Sequence, residues 1–171
     1  MKADKPISRR RVGGDEMKLK ELMKQPVVTI AAGTCIAQAA KEMVKAGIGF
    51  LPIMDHGRIS GVVTGKDLAT RGAARGLGMD SVPVSVIMSF PPICLSGEED
   101  AYTGLNLMRE RGIRRILVSD GSGQVIGVIS LADLESGITE TIISSLRRAE
   151  DRRRLPSDQE RALVIPGLYL G

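Results

Sequence analysis

Two short spacings carry the sharpest chemistry in this chain: Thr64-x-x-Asp67 and Ser130-x-x-Asp133. A hydroxyl residue followed three places on by a carboxylate is a capping box, and its plain role is to start a helix. The same arrangement is equipped to hold a ligand. A helix start offers unpaired N–H groups and the positive end of a dipole to a phosphate. A carboxylate one turn inside can accept from both hydroxyls of a ribose, and the Ser or Thr hydroxyl adds a third polar contact. Either role needs a helix that begins near residue 64 and another near 130.

Other reactive constellations are not visible. The one histidine, His56, sits in the turn-like run Asp55-His56-Gly57, which leaves Cys35 and Cys94 without a plausible base. One histidine and two cysteines fall short of the four ligands of a structural zinc site, and they make no disulfide framework. Gly47-Ile-Gly49 and Gly121-Ser-Gly123 lack the Gly-x-Gly-x-x-Gly spacing of a dinucleotide turn. Paired carboxylates, a metal cluster and a P-loop are also missing from the pattern. The expectation is a protein that is not an enzyme, with no bound metal and no required cofactor.

Composition narrows the partners. Of 171 residues, 43% are apolar and 26% charged, the balance of a globular protein. Four aromatics (Phe50, Phe90, Tyr102, Tyr169) cannot build stacking platforms for unpaired bases. The net charge of +4 comes mostly from the ends, Arg9–Arg11 and Arg147 to Arg154. Such arms can contact nucleic acid, but the plainer expectation is a solvated tail and helix face. No apolar run reaches the length of a membrane helix, and the basic start lacks an h-region. A cytoplasmic protein with free thiols is expected.

The elements that position the two boxes come in two copies. Residues 19–68 align on 84–134 with an offset of 65, rising to 66 after one extra residue in a turn. Met23 falls on Met88, Pro26 on Pro91, Gly47-Ile48 on Gly112-Ile113, and Gly61-Val-Val-Thr on Gly127-Val-Ile-Ser. Each copy opens with a short apolar run, at 27–30 and 93–95. A helix follows, with apolar positions at Ile36, Ala39, Ala40 and Met43, or Ala101, Gly104, Leu105 and Met108. Ser96-Gly-Glu-Glu99 has the form of a capping box for the second of these helices, and Gly47 and Gly112 fit left-handed C-terminal caps. Hairpins are expected at 50–54 with 58–64 and at 115–119 with 124–130. The order is β-α-β-β-α in each copy, a mixed α/β (α+β) fold. A unit of about sixty residues is marginal alone, so two copies packed through their sheets with pseudo-two-fold symmetry would bury a common core. An amphipathic extension follows, with Ile138, Ile142, Ile143 and Leu146 on one stripe, and then an apolar tail at 162–170. The expected division is a basic arm at 1–16, copy 1 at 17–76, copy 2 at 77–137, and the extension and tail at 138–171.

This tandem, with Gly-h-h-[Thr/Ser]-x-x-Asp closing each copy, resembles a pair of CBS (cystathionine β-synthase) domains, a Bateman module. Leu19-Lys-Glu-Leu-Met23 and Val84-Ser-Val-Ile-Met88 resemble the family's opening segment, and Gly112-Ile-Arg-Arg-Ile-Leu-Val118 its second-copy signature. Lys66-Asp-Leu-Ala-Thr-Arg-Gly72 is similar to small stand-alone bacterial and archaeal members. The resemblance implies a regulatory module that binds AMP, ADP or ATP in the cleft between copies and changes their relative orientation. It implies ribose and phosphate at Thr64, Asp67, Ser130 and Asp133. Adenine would lie against Ile93 and Cys94 beside the first box, and against Val28 and Thr29 beside the second; plain core packing is the other reading of these four. Arg114 and Arg115 would reach phosphate, for which a guanidinium fork is suited. Copy 1 has Gly49 and Phe50 at those places, so the arginines are expected to strengthen the Thr64/Asp67 site. A homodimer and an unidentified regulated protein are the implied partners. The alternatives are S-adenosylmethionine or NAD(H) on the same fold, or a structural module with degenerate sites and basic arms on nucleic acid.

Overall fold

The computed structural model describes residues 17–154. The basic arm at 1–16 and the apolar tail at 155–171 lie outside the described residues, with the expectations placed on them. Copy 1 runs α1 (Leu19–Leu22), β1 (Ile30–Ala31), α2 (Ile36–Ala46), β2 (Phe50–Asp55), β3 (Arg58–Thr64) and α3 (Gly65–Asp67). Copy 2 adds β4 (Cys94–Ser96), α4 (Ala101–Arg111), β5 (Arg115–Ser119), β6 (Val125–Ser130) and α5 (Leu131–Arg154). The chain divides into two units, one spanning Glu16–Glu135 and holding both copies, while α5 from Ser136 onward belongs to the other.

Each copy forms a three-stranded sheet, ordered β1-β2-β3 or β4-β5-β6. The first pair is parallel and bridged by a helix; the second is an antiparallel hairpin. In the first hairpin turn, His56 and Gly57 both take positive φ, 47° and 77°, as a tight primed turn requires. Helix α2 buries Ile36, Ala39 and Met43, and α4 buries Ala101, Gly104 and Met108, the stripes read from sequence. Gly47 and Gly112 end them at φ 64° and 62°. The capping box expected at Ser96–Glu99 does not start α4. Ser96 is still in β4, paired with Ser119, and the chain turns before Asp100, whose carboxylate accepts from Tyr102 N–H at 2.8 Å.

The helices that close the two copies differ. Helix α5 is regular over 24 residues, but α3 opens after one turn into a π-helical turn at Leu68–Gly72. There the N–H of Ala73 reaches the carbonyl of Leu68, five residues back. A short 3-10 turn, Ala73–Arg75, then stops at Gly76.

The core of copy 1 gathers Ile30, Ile36, Met43, Leu51, Ile53, Val63 and Leu68 with Val84 and Ile87, and no strand residue of copy 2 belongs to it. Val84 and Ile87 come from the opening segment of copy 2. The opening segment of copy 1 makes the reciprocal contribution. Leu19, fully buried, lies so close to α4 that a Cβ on Gly104 would stand 2.9 Å from its Cδ2. The two segments are therefore exchanged. Lys24 N–H donates to Val128 O at 2.8 Å and Val128 N–H returns to Lys24 O at 3.1 Å. Ser89 and Val62 make the matching pair at 2.8 and 3.0 Å. Met88 covers Gly61, and Met23 covers Gly127. A copy of this size exposes too much of its sheet to stand alone, and the borrowed segment supplies the missing apolar wall.

Candidate functional site

Strands β3 and β6 each end on a hydroxyl residue, and the chain turns at once into a helix. Thr64 N–H donates to Asp67 Oδ2 at 2.9 Å, its hydroxyl donates to the same oxygen at 2.6 Å, and Asp67 N–H returns to Thr64 Oγ1 at 3.2 Å. Copy 2 repeats the pattern. Ser130 N–H donates to Asp133 Oδ2 at 2.9 Å, its hydroxyl donates to that oxygen, and Asp133 N–H returns at 3.3 Å. Both capping boxes are formed, and each occupies one carboxylate oxygen of two.

The second oxygen meets a cation, and the two copies use different ones. Arg71 Nε lies 3.4 Å from Asp67 Oδ1. The same guanidinium, through Nη1, donates to the carbonyls of Ile87 and Met88 and to Ser89 Oγ at 3.0–3.3 Å. It therefore ties the exchanged segment of copy 2 to copy 1. At the other cap, Lys24 Nζ lies 2.8 Å from Asp133 Oδ1. Burial pushes the Asp133 carboxyl up, but the bonds from Lys24 and Ser130 outweigh it and hold the group below the usual carboxylate range.

These two cations escape a reading of the sequence motifs. Arg71 leaves one local signal, its place four residues after Asp67 on the same helix. Lys24 leaves none, since it reaches Asp133 only through the segment exchange.

The other expected site residues fall as follows. The register sets Arg115 opposite Ser130, and Leu131 N–H donates to Arg114 O at 2.9 Å. The arginine backbone thus borders the Ser130/Asp133 cap of its own copy, which makes that cap a candidate for their charge alongside Thr64/Asp67. In copy 1, Phe50 pairs with Thr64, and Gly65 N–H donates to Gly49 O at 3.2 Å. Ile93 and Cys94 follow directly on the segment whose Ser89 pairs with Val62, two residues before Thr64. Val28 and Thr29 follow the segment paired at Val128, two residues before Ser130. None of the four is buried, and Cys94 and Val28 are exposed. Ile93 and Thr29 are partly buried. Among the described residues no three His, Cys, Asp or Glu side chains gather as a metal site, and no helix is long and apolar enough to cross a membrane.

Comparison with known proteins settles the family. The CBS domain model matches twice, at residues 19–73 and 84–140, one match for each copy. The chain belongs to the CBS domain family. Its fold is similar to that of a putative signal-transduction protein with CBS domains from Burkholderia ambifaria, at TM-score 0.67 and 26% identity over 71% of this chain and 93% of that one. A CBS domain protein of Pyrobaculum aerophilum complexed with AMP matches at TM-score 0.62 and 28% identity, covering 68% and 89%. The CBS domain pair of protein MJ0100, in complex with 5′-methylthioadenosine and S-adenosyl-L-methionine, matches at 0.65 and 25%, covering 72% and 97%. Among curated relatives, this chain spans from 18% to 81% of their length.

Proposed function

We propose that this CBS pair is a regulatory sensor of adenine nucleotides, AMP, ADP or ATP, held at the Thr64/Asp67 and Ser130/Asp133 caps. The observation that carries the reading is the crosswise arrangement of each cap. A hydroxyl–carboxylate pair from one copy stands beside a segment of the other that leads into unburied residues, Ile93 and Cys94 or Val28 and Thr29. A ribose on the carboxylate with adenine against the neighbouring segment would touch both copies at once. A ligand that favours one relative orientation then shifts the population of that orientation. The solved relative holding AMP supports the ligand class, and the one holding S-adenosyl-L-methionine makes that compound the second ligand to test. Free thiols at Cys35 and Cys94 fit a reducing cytoplasm, and the regulated partner would be another protein there.

A thermal-shift series over AMP, ADP, ATP, NADH and S-adenosylmethionine tests the class, because a ligand of the native state raises Tm. The adenine nucleotides should raise it most. Titration calorimetry on Asp67→Ala and Asp133→Ala should lose about 1.5–3 kcal/mol at the altered cap, the usual cost of a bond to a charged group. ATP should be recovered unchanged by chromatography; turnover that disappears with either substitution would replace the sensor by an enzyme.

The chain should also pair with a second copy. Ile142, Ile143 and Leu146 are exposed on α5, and a stripe of this kind gains from burial against another surface. Light scattering should give twice the chain mass, and Ile142→Glu should reduce it to one. A single-chain mass for the unaltered protein rejects the dimer.

A further inference from the structure

Oxygen Oδ2 of Asp133 is occupied by Ser130, and oxygen Oδ1, the one left for a ligand diol, is 2.8 Å from Lys24 Nζ. The carboxylate is largely enclosed, its side chain 16% exposed, while the lysine is 77% exposed. An arriving diol must therefore displace the ammonium from Oδ1 or share the oxygen with it. A neutral nucleoside that displaces it breaks an ion pair and returns only hydrogen bonds. An anionic ligand gives the ammonium a new partner while its diol takes the carboxylate. The lysine is built for such a transfer. Its backbone is pinned to Val128 by two hydrogen bonds, so the ammonium swings on a flexible stem about a fixed root and stays at the cap.

The other cap has no comparable device. Ser89 stands at the place of Lys24, and the cation on Asp67, Arg71, is committed to two carbonyls and a hydroxyl that hold the exchanged segment. Gly49 and Phe50 flank Thr64 where Arg114 and Arg115 flank Ser130. We propose that Lys24 is a specificity-determining residue, making the Ser130/Asp133 cap select ligands that carry an anionic group beside their diol. The two caps then differ in the charge class of ligand they accept. This rests on the reading that the caps bind adenine nucleotides.

The test is calorimetry with AMP and adenosine on the full chain carrying Asp67→Ala, which leaves the Ser130/Asp133 cap as the ligand site. AMP should bind at least about tenfold more tightly than adenosine, the scale of one charge-assisted contact. Adding Lys24→Met should reduce that preference to about threefold or less without weakening adenosine, and Lys24→Arg should keep most of it. Lys24→Gln, which keeps a polar side chain of similar length, serves if the methionine variant melts early. A preference unchanged by Lys24→Met and Lys24→Gln overturns the proposal while leaving nucleotide binding intact. No binding of AMP to the unaltered chain overturns the sensor reading itself.

Discussion

At the scale of single residues, Asp133 is the group whose protonation matters most. It serves as helix cap, as partner of Lys24 and as the proposed seat of a ribose. Burial raises its carboxyl, and Lys24 and Ser130 lower it further than burial raises it. A carboxylate whose folded pKa lies below its unfolded value stabilises the fold above the unfolded value of 3.8. That contribution is lost as pH falls through the lower folded value. Asp133→Asn keeps an acceptor for Ser130 and removes the charge. The Tm gap between the unaltered chain and this variant should be full near pH 6 and should close progressively below pH 4. Scanning calorimetry along that series is the measurement, and a gap that widens with acid contradicts the assignment. Glu98 behaves in the same direction, held at about 2 by bonds from Lys18 and Lys20. Its side chain is exposed, however, so salt should mute its effect.

At the scale of elements, the exchanged segments rest on two glycines of the hairpins, and the two should not respond alike to a methyl group. A Cβ on Gly61 would stand 2.6 Å from Met88 Sδ and 2.9 Å from the backbone carbonyl of Ser89. A Cβ on Gly127 would meet Met23 first, through Sδ, through Cγ at 2.7 Å and through Cβ at 3.0 Å. The Sδ and Cγ of Met23 can rotate away, whereas the paired carbonyl of Ser89 cannot move without breaking its bond to Val62. Gly61→Ala should therefore cost about 1–3 kcal/mol in denaturant unfolding. Gly127→Ala should cost less, and Met23→Ala beside it should recover part of that loss, which a double-mutant cycle reads directly. Additive losses at Gly127 and Met23 would contradict the contact. Most of this level was open to sequence reading. Helical stripes, left-handed glycine caps, both hairpins and the helix starts at Thr64 and Ser130 all follow from local rules and repeat at a fixed offset. The capping boxes were legible for the same reason, since partners three residues apart are fixed by one helical turn. Lys24 beside Asp133, Arg71 across to Ser89, and Leu19 under Gly104 were not, because the repeat shows which residues correspond and not which copy they pack on. The π-helical turn that carries Arg71 was missed too; Gly72 within it marks a weak point in the helix but not its widening.

At the scale of the whole molecule, the exchange decides the order in which the chain can assemble. Copy 1 is closed by residues 84–89, which follow it directly, so its interior can be completed while copy 2 is still unstructured. Copy 2 is closed by residues 18–24, whose contacts are far apart in sequence, from Lys18 with Glu98 to Lys24 with Val128 and Asp133. Closing that longer loop carries an added entropic cost, and contacts of large sequence separation slow folding. Pulse-labelled hydrogen exchange during refolding should protect the amides of Val62 and Ser89 before those of Lys20 and Lys24, and the reverse order would contradict this reasoning. A ribosome delivers the chain in the opposite sense. Residues 18–24 emerge before the strands of either copy, yet Leu19 has no burial site until α4 and the start of α5 have been made. The earliest of these core residues to be synthesised is thus among the last to be buried, and through the interval Leu19 and Met23 remain in water as a short, sticky, unfolded stretch. That makes the newborn chain most open to chaperones or to another copy's unfinished half just before its own second copy is ready to receive it.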